Sequence, residues 1–294
     1  MKDNLQGTGV ALVTPFDNNK AVDYPALGKV IEYVISGGAD YLVALGTTAE
    51  TPTLSDSEKK QVTEYILRQN NNRLPVVLGI GGNNTAEVVH HIETTDPEGI
   101  TAILSVTPYY NKPSQEGLYQ HYKTVAEASP RPVILYNVPS RTGVDMTAET
   151  TLRLAHDCGN IAAIKEASGS LSQISYILRD KPEHFMVVSG DDNMALPLIA
   201  LGGDGVISVA ANAFPEQVSR MVQLCLAGDF TGASLIQLHM LECVESLFCE
   251  GNPVGVKAAL ALKGLLQNEL RLPLVACSDG LCDKLKELVQ KYNL

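Results

Sequence analysis

At 294 residues and 45% hydrophobic content, the chain can bury a large core and fits one big α/β domain with at most a small appendage. A formal net charge of −11 argues against a nucleic-acid partner, because phosphate binding needs clustered Lys and Arg, and no basic amphipathic run suggests a membrane surface. No apolar stretch approaches the roughly 20 residues of a membrane span, and none follows Met1-Lys2-Asp3-Asn4-Leu5 as a signal peptide would require, so a soluble cytoplasmic chain is expected.

Short apolar runs recur along the sequence: Gly9–Phe16, Tyr41–Gly46, Pro75–Ile80, Ala102–Thr107, Val133–Val138, Ile161–Ala167, Phe185–Ser189 and Gly205–Ala211. Several lack strict alternation, as expected of parallel strands covered on both faces. Segments of helical pattern lie between them. Asp23 caps the first, Ser55 with Glu58 forms a capping box for the second, and Asn84 with Glu87 makes a similar start. Glycines end two helices in Ser36-Gly37-Gly38 and Leu201-Gly202-Gly203, and prolines stop others. Eight strands alternating with helices predict an α/β fold, a (β/α)₈ TIM barrel, over a doubly wound open sheet.

After Ala211 the strand signal stops. Ala233, Ile236, Met240, Val244 and Leu247 keep a three-to-four spacing, as do Val254, Ala258, Ala261 and Leu265, and then Leu281, Leu285 and Leu288. Residues 1–227 are thus expected to form the barrel with the active site, and residues 228–294 a C-terminal helical domain packed on it. Six cysteines (Cys158, Cys225, Cys243, Cys249, Cys277, Cys282) fall in helical segments without Cys-x-x-Cys or zinc-ligand spacing. They are read as reduced and mostly packed.

A barrel displays its chemistry at the C-terminal ends of its strands, and these ends are polar. The second run leads into Gly46-Thr47-Thr48-Ala49-Glu50, where two hydroxyls could bind a carboxylate or relay a proton, or merely cap a helix. The third ends Gly79-Ile80-Gly81-Gly82-Asn83-Asn84, which matches no phosphate-binding fingerprint and reads as a tight turn. Tyr109 and Tyr110 end the fourth, suited to substrate, a neighbouring subunit or packing. Tyr136 ends the fifth as a proton carrier, and Arg141 follows with a fork suited to a carboxylate unless it is a plain surface residue.

The sixth run delivers Lys165. Burying an ammonium is costly, and if Lys165 points into the barrel, Glu166 points outward and is no obvious counterion. Desolvation then favours the neutral amine, a nucleophile toward carbonyls, over a structural lysine bonded to carbonyls. Asp191 and Asp192 after the seventh run are read as a helix cap rather than a metal site. The histidines fall mainly in helical segments, which disfavours a metal-dependent aldolase.

Gly46-Thr47-Thr48-Ala49-Glu50, Pro108-Tyr109-Tyr110-Asn111-Lys112-Pro113, Tyr136-Asn137-Val138-Pro139-Ser140-Arg141-Thr142-Gly143 and Ile164-Lys165-Glu166-Ala167-Ser168-Gly169 resemble motifs of the dihydrodipicolinate synthase family. These are pyruvate-dependent lyases that also include N-acetylneuraminate lyase. The resemblance runs from about Gly9 to the last helices. It implies that Lys165 forms a Schiff base with pyruvate and that the derived enamine attacks L-aspartate 4-semialdehyde. By the same resemblance Tyr136, Thr47 and Tyr110 form a proton relay, with Tyr110 reaching a neighbouring subunit of a homotetramer. Thr48, Ile207 and Gly190 contact substrate, Arg141 holds the semialdehyde carboxylate, and neither cofactor nor metal is implied. Sugar-acid aldolases, the alternative enzymes, lack that arginine. A non-catalytic barrel that senses a keto acid is the reading from another class.

Two positions depart from the family. Ala49 stands where glycine is usual, which bears on local geometry more than on chemistry. Lys59 stands where lysine-inhibited members carry histidine, while Asn83, Glu87 and Tyr109 match their regulatory pocket. A cation at Lys59 would repel the ammonium of bound lysine, so feedback inhibition is expected to be weak or absent.

Overall fold

The computed structural model describes residues 5–292. Residues 1–4, most of the N-terminal stretch read above as lacking a signal, and residues 293–294 lie outside the described residues. Eight strands, β1 (Gly7–Ala11), β2 (Tyr41–Ala44), β3 (Val76–Gly79), β4 (Ala102–Val106), β5 (Val133–Asn137), β6 (Ile161–Glu166), β7 (Met186–Ser189) and β8 (Gly205–Ser208), follow the apolar runs. They pair in parallel and in sequence order, and β8 pairs back onto β1 to close the barrel. An open doubly wound sheet is thereby excluded. No helix among the described residues is long and apolar enough to cross a membrane.

The missing alternation in the runs has a direct cause: both strand faces are buried. Leu42, Leu135, Ile164, Val187 and Val206 point outward under the helices, while Val43, Val77, Leu104, Ile134 and Met186 fill the barrel interior. Each fully buried aliphatic side chain contributes about 1.5–3 kcal/mol.

The first strand is shorter than its apolar run and starts earlier. Beyond Ala11 the Leu12 N–H still donates to the Val43 carbonyl on β2, while the amide of Asn212, from the turn after β8, takes over the bonds on the other edge. It donates to the Ala11 carbonyl at 2.8 Å and accepts from the Val13 N–H at 3.2 Å. Pro15 has no N–H to continue a strand.

The expected caps are present at Asp23, Ser55 and Asn84, and Ser55 with Glu58 forms a complete capping box. After the helix Pro215–Leu226 come Phe230–Phe248, Val254–Leu262 and Asp279–Lys291, the last burying Leu281, Leu285 and Leu288.

The expectation of six reduced cysteines is corrected at one pair. Cys158, Cys225, Cys243 and Cys249 are free, but Cys277 and Cys282 form a disulfide. Cys277 is not helical. It lies just before the cap Ser278, and the first turn of the helix Asp279–Lys291 brings Cys282 back to a Cα separation of 6.4 Å, within bridging range.

Arg271, in the loop before that helix, fastens the C-terminal segment to the barrel's N-terminal half. Its guanidinium grips Glu58 at 2.6 and 2.9 Å and donates to the carbonyls of Lys20 and Thr53. Bonding from Arg271 holds the Glu58 carboxyl down to about 2, from 4.5. A carboxyl depressed in the folded state gives stability that is complete above its unfolded pKa and lost as pH falls through the folded one. Glu58→Gln, which keeps a capping side chain, should lower stability at neutral pH by about 1–2 kcal/mol. The gap in thermal midpoint from the parent should close as pH falls from 4.5 to about 2. A gap constant with pH would remove this pair as the anchor.

Candidate active site

Parallel strands place their C-terminal ends at one mouth, where the expected residues gather. Tyr136 on β5 stands directly opposite Lys165 on β6. The register is not trivial: Val133 pairs with Ile161 but Ile134 pairs with Ala163, so Ala162 is an extra residue on β6. Without that irregularity Tyr136 would face Ile164, and the lysine would point to the helices. With it, both side chains are interior and at most 6% exposed, and Lys165 Nζ lies 4.2 Å from the centroid of the Tyr136 ring.

The next residue on each strand faces outward. Glu166 is buried and accepts from Asn137 Nδ2 at 3.2 Å, from Gln173 at 3.1 Å and from the Ser168 N–H at 2.7 Å. Burial pushes its carboxyl upward, and these bonds oppose that shift. Glu166 is therefore occupied on the outer face, and Lys165 has no salt-bridge partner among the described residues. Asn137 also donates to Asp145 and accepts from the Met146 N–H, which steadies the short helix Pro139–Thr142 that carries Arg141.

Gly190, after β7, packs against the lysine stem. A Cβ there would lie 3.0 Å from Lys165 Cε and 2.8 Å from the Ala167 Cβ. Ile207 on β8 is interior and paired with Gly9 on β1.

Thr47 and Thr48 form a tight 3₁₀ turn, Thr47–Ala49, after β2. Gly79 on β3 makes room for it, since a Cβ there would sit 2.2 Å from the Leu45 carbonyl oxygen. Gly81, after β3, likewise allows a close backbone approach, since a Cβ there would sit 2.8 Å from the Val106 nitrogen. Ala49 has no positive φ; the left-handed residue is Glu50 at 53°, so the methyl group of Ala49 meets no backbone strain. Thr48 is buried and accepts from Asn252 Nδ2 at 3.0 Å.

The rim is open. A cleft of about 600 Å³ is lined by Tyr109, Tyr110, Lys112 and the Pro139–Gly143 segment, including Arg141. Arg141 is exposed and has no salt-bridge partner among the described residues. Tyr110 has a φ of 70° and is 89% exposed. No hydrogen bond among the described residues joins the Tyr136 hydroxyl to Thr47 or Tyr110.

Asn83 donates to the Tyr109 carbonyl at 3.2 Å, linking the loops after β3 and β4, and Glu87 is exposed in the first helical turn beyond. Lys59 is held by Asp56 at 3.0 Å. The paired aspartates after β7 are taken up by backbone and hydroxyl donors. Asp191 caps the following turn, and buried Asp192 accepts from Ser208 and from the Val209 and Ala210 N–H groups.

The profile of the dihydrodipicolinate synthetase family matches residues 4–292. The chain belongs to this family. It is 52% identical over 291 residues to the 4-hydroxy-tetrahydrodipicolinate synthase of Parabacteroides distasonis, covering 99% of this chain and 98% of that one. The crystal structure of dihydrodipicolinate synthase from Aquifex aeolicus superposes with a TM-score of 0.95 at 43% identity, covering 99% of each chain. The enzyme from Cyanidioschyzon merolae, solved with lysine bound, superposes at 0.94 with 36% identity and 98% coverage of both. Members of the dihydrodipicolinate synthetase family are lyase-type enzymes, and so is this chain.

Sequence reasoning missed the residues that reach the Thr47–Ala49 turn from the C-terminal segment. Asn252 meets Thr48, and fully buried Lys257 pairs with Glu50 at 2.5 Å. A signal was available: Lys257 interrupts the apolar run Val254–Leu262, the same anomaly that singles out Lys165.

Gly190→Ala tests how tightly the nucleophile is placed. The added methyl group must displace Lys165, and a misplacement on the order of 1 Å costs about 100-fold in rate. Activity should fall to that extent while the circular dichroism spectrum is retained. Turnover within about twofold of the parent would show that the lysine is not confined there.

Proposed function

We propose that the chain condenses pyruvate with L-aspartate 4-semialdehyde, the 4-hydroxy-tetrahydrodipicolinate synthase reaction of lysine and diaminopimelate biosynthesis, in the cytoplasm. The observation that carries the reading is Lys165 set opposite Tyr136 in a closed interior, with a free guanidinium on the rim above.

The Lys165 amine adds to the ketone of pyruvate, and loss of water gives the Schiff base. Removal of a methyl proton gives the enamine, whose carbon attacks the aldehyde of the second substrate. The amine of that substrate then closes the ring and displaces Lys165, which is regenerated. Tyr136 is placed to carry protons through these steps, with Thr47 and Tyr110 as the relay. Thr48, Ile207 and Gly190 form the pyruvate pocket, and Arg141 takes the semialdehyde carboxylate as a bidentate partner. Arg141 is also what favours this substrate over a sugar acid. Residues 1–227 form the catalytic barrel in this reading, and residues 228–294 its helical cover.

The exposed Tyr110 ring and its left-handed backbone favour a partner subunit as its destination, within a homotetramer arranged as a dimer of dimers. A left-handed non-glycine residue costs about 1–2 kcal/mol and persists where the surroundings demand it.

Borohydride reduction in the presence of pyruvate should fix a pyruvate-derived adduct on Lys165. Arg141→Ala should keep that adduct but lower kcat/KM for the semialdehyde by about 100-fold, the loss of one bidentate charged contact. An adduct on another residue would sink the Schiff-base assignment, and unchanged use of the semialdehyde by Arg141→Ala would sink the substrate.

Asn83, Glu87 and Tyr109 are the proposed regulatory set, with Lys59 as the residue that weakens it. Turnover should persist in millimolar lysine, and Lys59→His should become more sensitive. Half-inhibition of the unaltered chain by low-millimolar lysine would overturn this.

A further inference from the structure

The side chains of the turn that carries Thr47 and Thr48 are met from the far end of the chain. Glu50, which caps the turn, is left-handed and 3% exposed, and its carboxylate meets C-terminal donors. Lys257 Nζ lies 2.5 Å from Oε1, and the Arg271 N–H donates to Oε2 at 3.0 Å. Lys257 is itself wholly buried. It donates to the Glu269 carbonyl at 2.9 Å and lies 4.2 Å from the centroid of the Phe16 ring. Burial pulls its pKa down, and the Glu50 carboxylate opposes that shift.

Two residues before Glu50, Asn252 Nδ2 donates to Thr48 Oγ1 at 3.0 Å across 204 residues of sequence. The amide is 8% exposed, and its Oδ1 has no hydrogen-bond partner among the described residues. A hydroxyl that accepts an N–H must send its own proton elsewhere. The Asn252 amide therefore fixes the rotor of Thr48 so that the O–H is left to donate.

We infer that Asn252 and the Lys257–Glu50 pair are positioning residues for the keto acid: they hold the Thr47–Ala49 turn and aim the Thr48 hydroxyl at the substrate carboxylate. The inference rests on the reading above that Thr48 contacts pyruvate. It makes the C-terminal segment part of substrate binding and not only of packing. A buried ion pair is weak evidence for stability, because two desolvated charges roughly offset their own attraction. A role in positioning accounts for the pair at this location.

Three variants test this. Asn252→Ala removes the donor together with an unsatisfied oxygen and leaves the ion pair intact. Asn252→Asp offers a carboxylate that accepts the Thr48 O–H and turns it away from substrate. Glu50→Gln with Lys257→Met neutralises both charges at once and avoids a lone buried ion. The readouts are the pyruvate concentration for half-maximal borohydride adduct, KM for each substrate, and the thermal midpoint.

Asn252→Ala and the double variant should raise pyruvate half-saturation about tenfold, the worth of one misaligned charge-assisted hydrogen bond, with semialdehyde KM within about twofold. Asn252→Asp should raise it further. The thermal midpoint of Asn252→Ala should stay within about 2 °C of the parent, because removing the unsatisfied Oδ1 offsets part of the cost of leaving Thr48 Oγ1 without its donor. Unchanged pyruvate half-saturation in the folded variants, or a fall in thermal midpoint with normal kinetics, would overturn the inference while leaving the reaction assignment standing. Absence of any adduct in the unaltered chain would take down both.

Discussion

The register between β5 and β6 is the constraint on which the site depends. Side chains on a strand alternate, so one residue of slip would exchange the interior pair Tyr136 and Lys165 for the outward pair Asn137 and Glu166. The extra residue at Ala162 sets the register, and polar bonds on the outer face hold it. The Ala167 N–H donates to the Asn137 carbonyl at 2.8 Å, which extends the β5–β6 ladder in this register. The Glu166 carboxylate finds its donors only in this arrangement. A slipped strand would place a buried carboxylate among aliphatic side chains, which costs several kcal/mol. The outer face thus enforces the geometry that the inner face uses.

The two buried lysines show how surroundings divide one residue type into two roles. Lys257 is fully buried and has Glu50 at 2.5 Å, a carbonyl and an aromatic face, so its charge is matched on every side. Lys165 is 5% exposed and has the Tyr136 ring beside it but no carboxylate. The carboxylate next to it in sequence is turned to the opposite face by strand geometry. A matched ammonium is a fastening. Lys165, with no carboxylate beside it, is not tied down in that way.

Much of this was legible in the chain because parallel barrel strands are short, apolar and end in polar loops. The run Val133–Val138 became β5 with a one-residue difference, and Ile161–Ala167 likewise became β6. Lys165, Tyr136 and Gly190 meet because barrel topology brings consecutive strand ends together, which local pattern anticipates. Asn252, Lys257 and Arg271 lie some 200 residues from Thr48, Glu50 and Thr53, and no periodicity encodes such a contact. The bulge at Ala162 was equally hidden, since Ile161-Ala162-Ala163-Ile164 reads as unbroken strand. The Cys277–Cys282 bond escaped because its spacing follows from a helix cap rather than from a cysteine motif.

The site is graded from base to rim. Below, Tyr136, Lys165, Thr48 and Ile207 are at most 6% exposed, and each is fixed by strand register or by a hydrogen bond. Above, Arg141 and Tyr110 stand in an open cleft with no side-chain partner among the described residues. Rigid, dry surroundings suit a step whose geometry must be set before the ligand arrives, because the groups need no reorganisation when charge develops. An exposed guanidinium suits a charged ligand that arrives second, since it attracts from solution and adjusts its fork on contact. In the proposed reading depth also orders the two substrates: a keto acid that meets the buried Lys165 amine would have to enter before a second carboxylate is held by Arg141 at the open cleft.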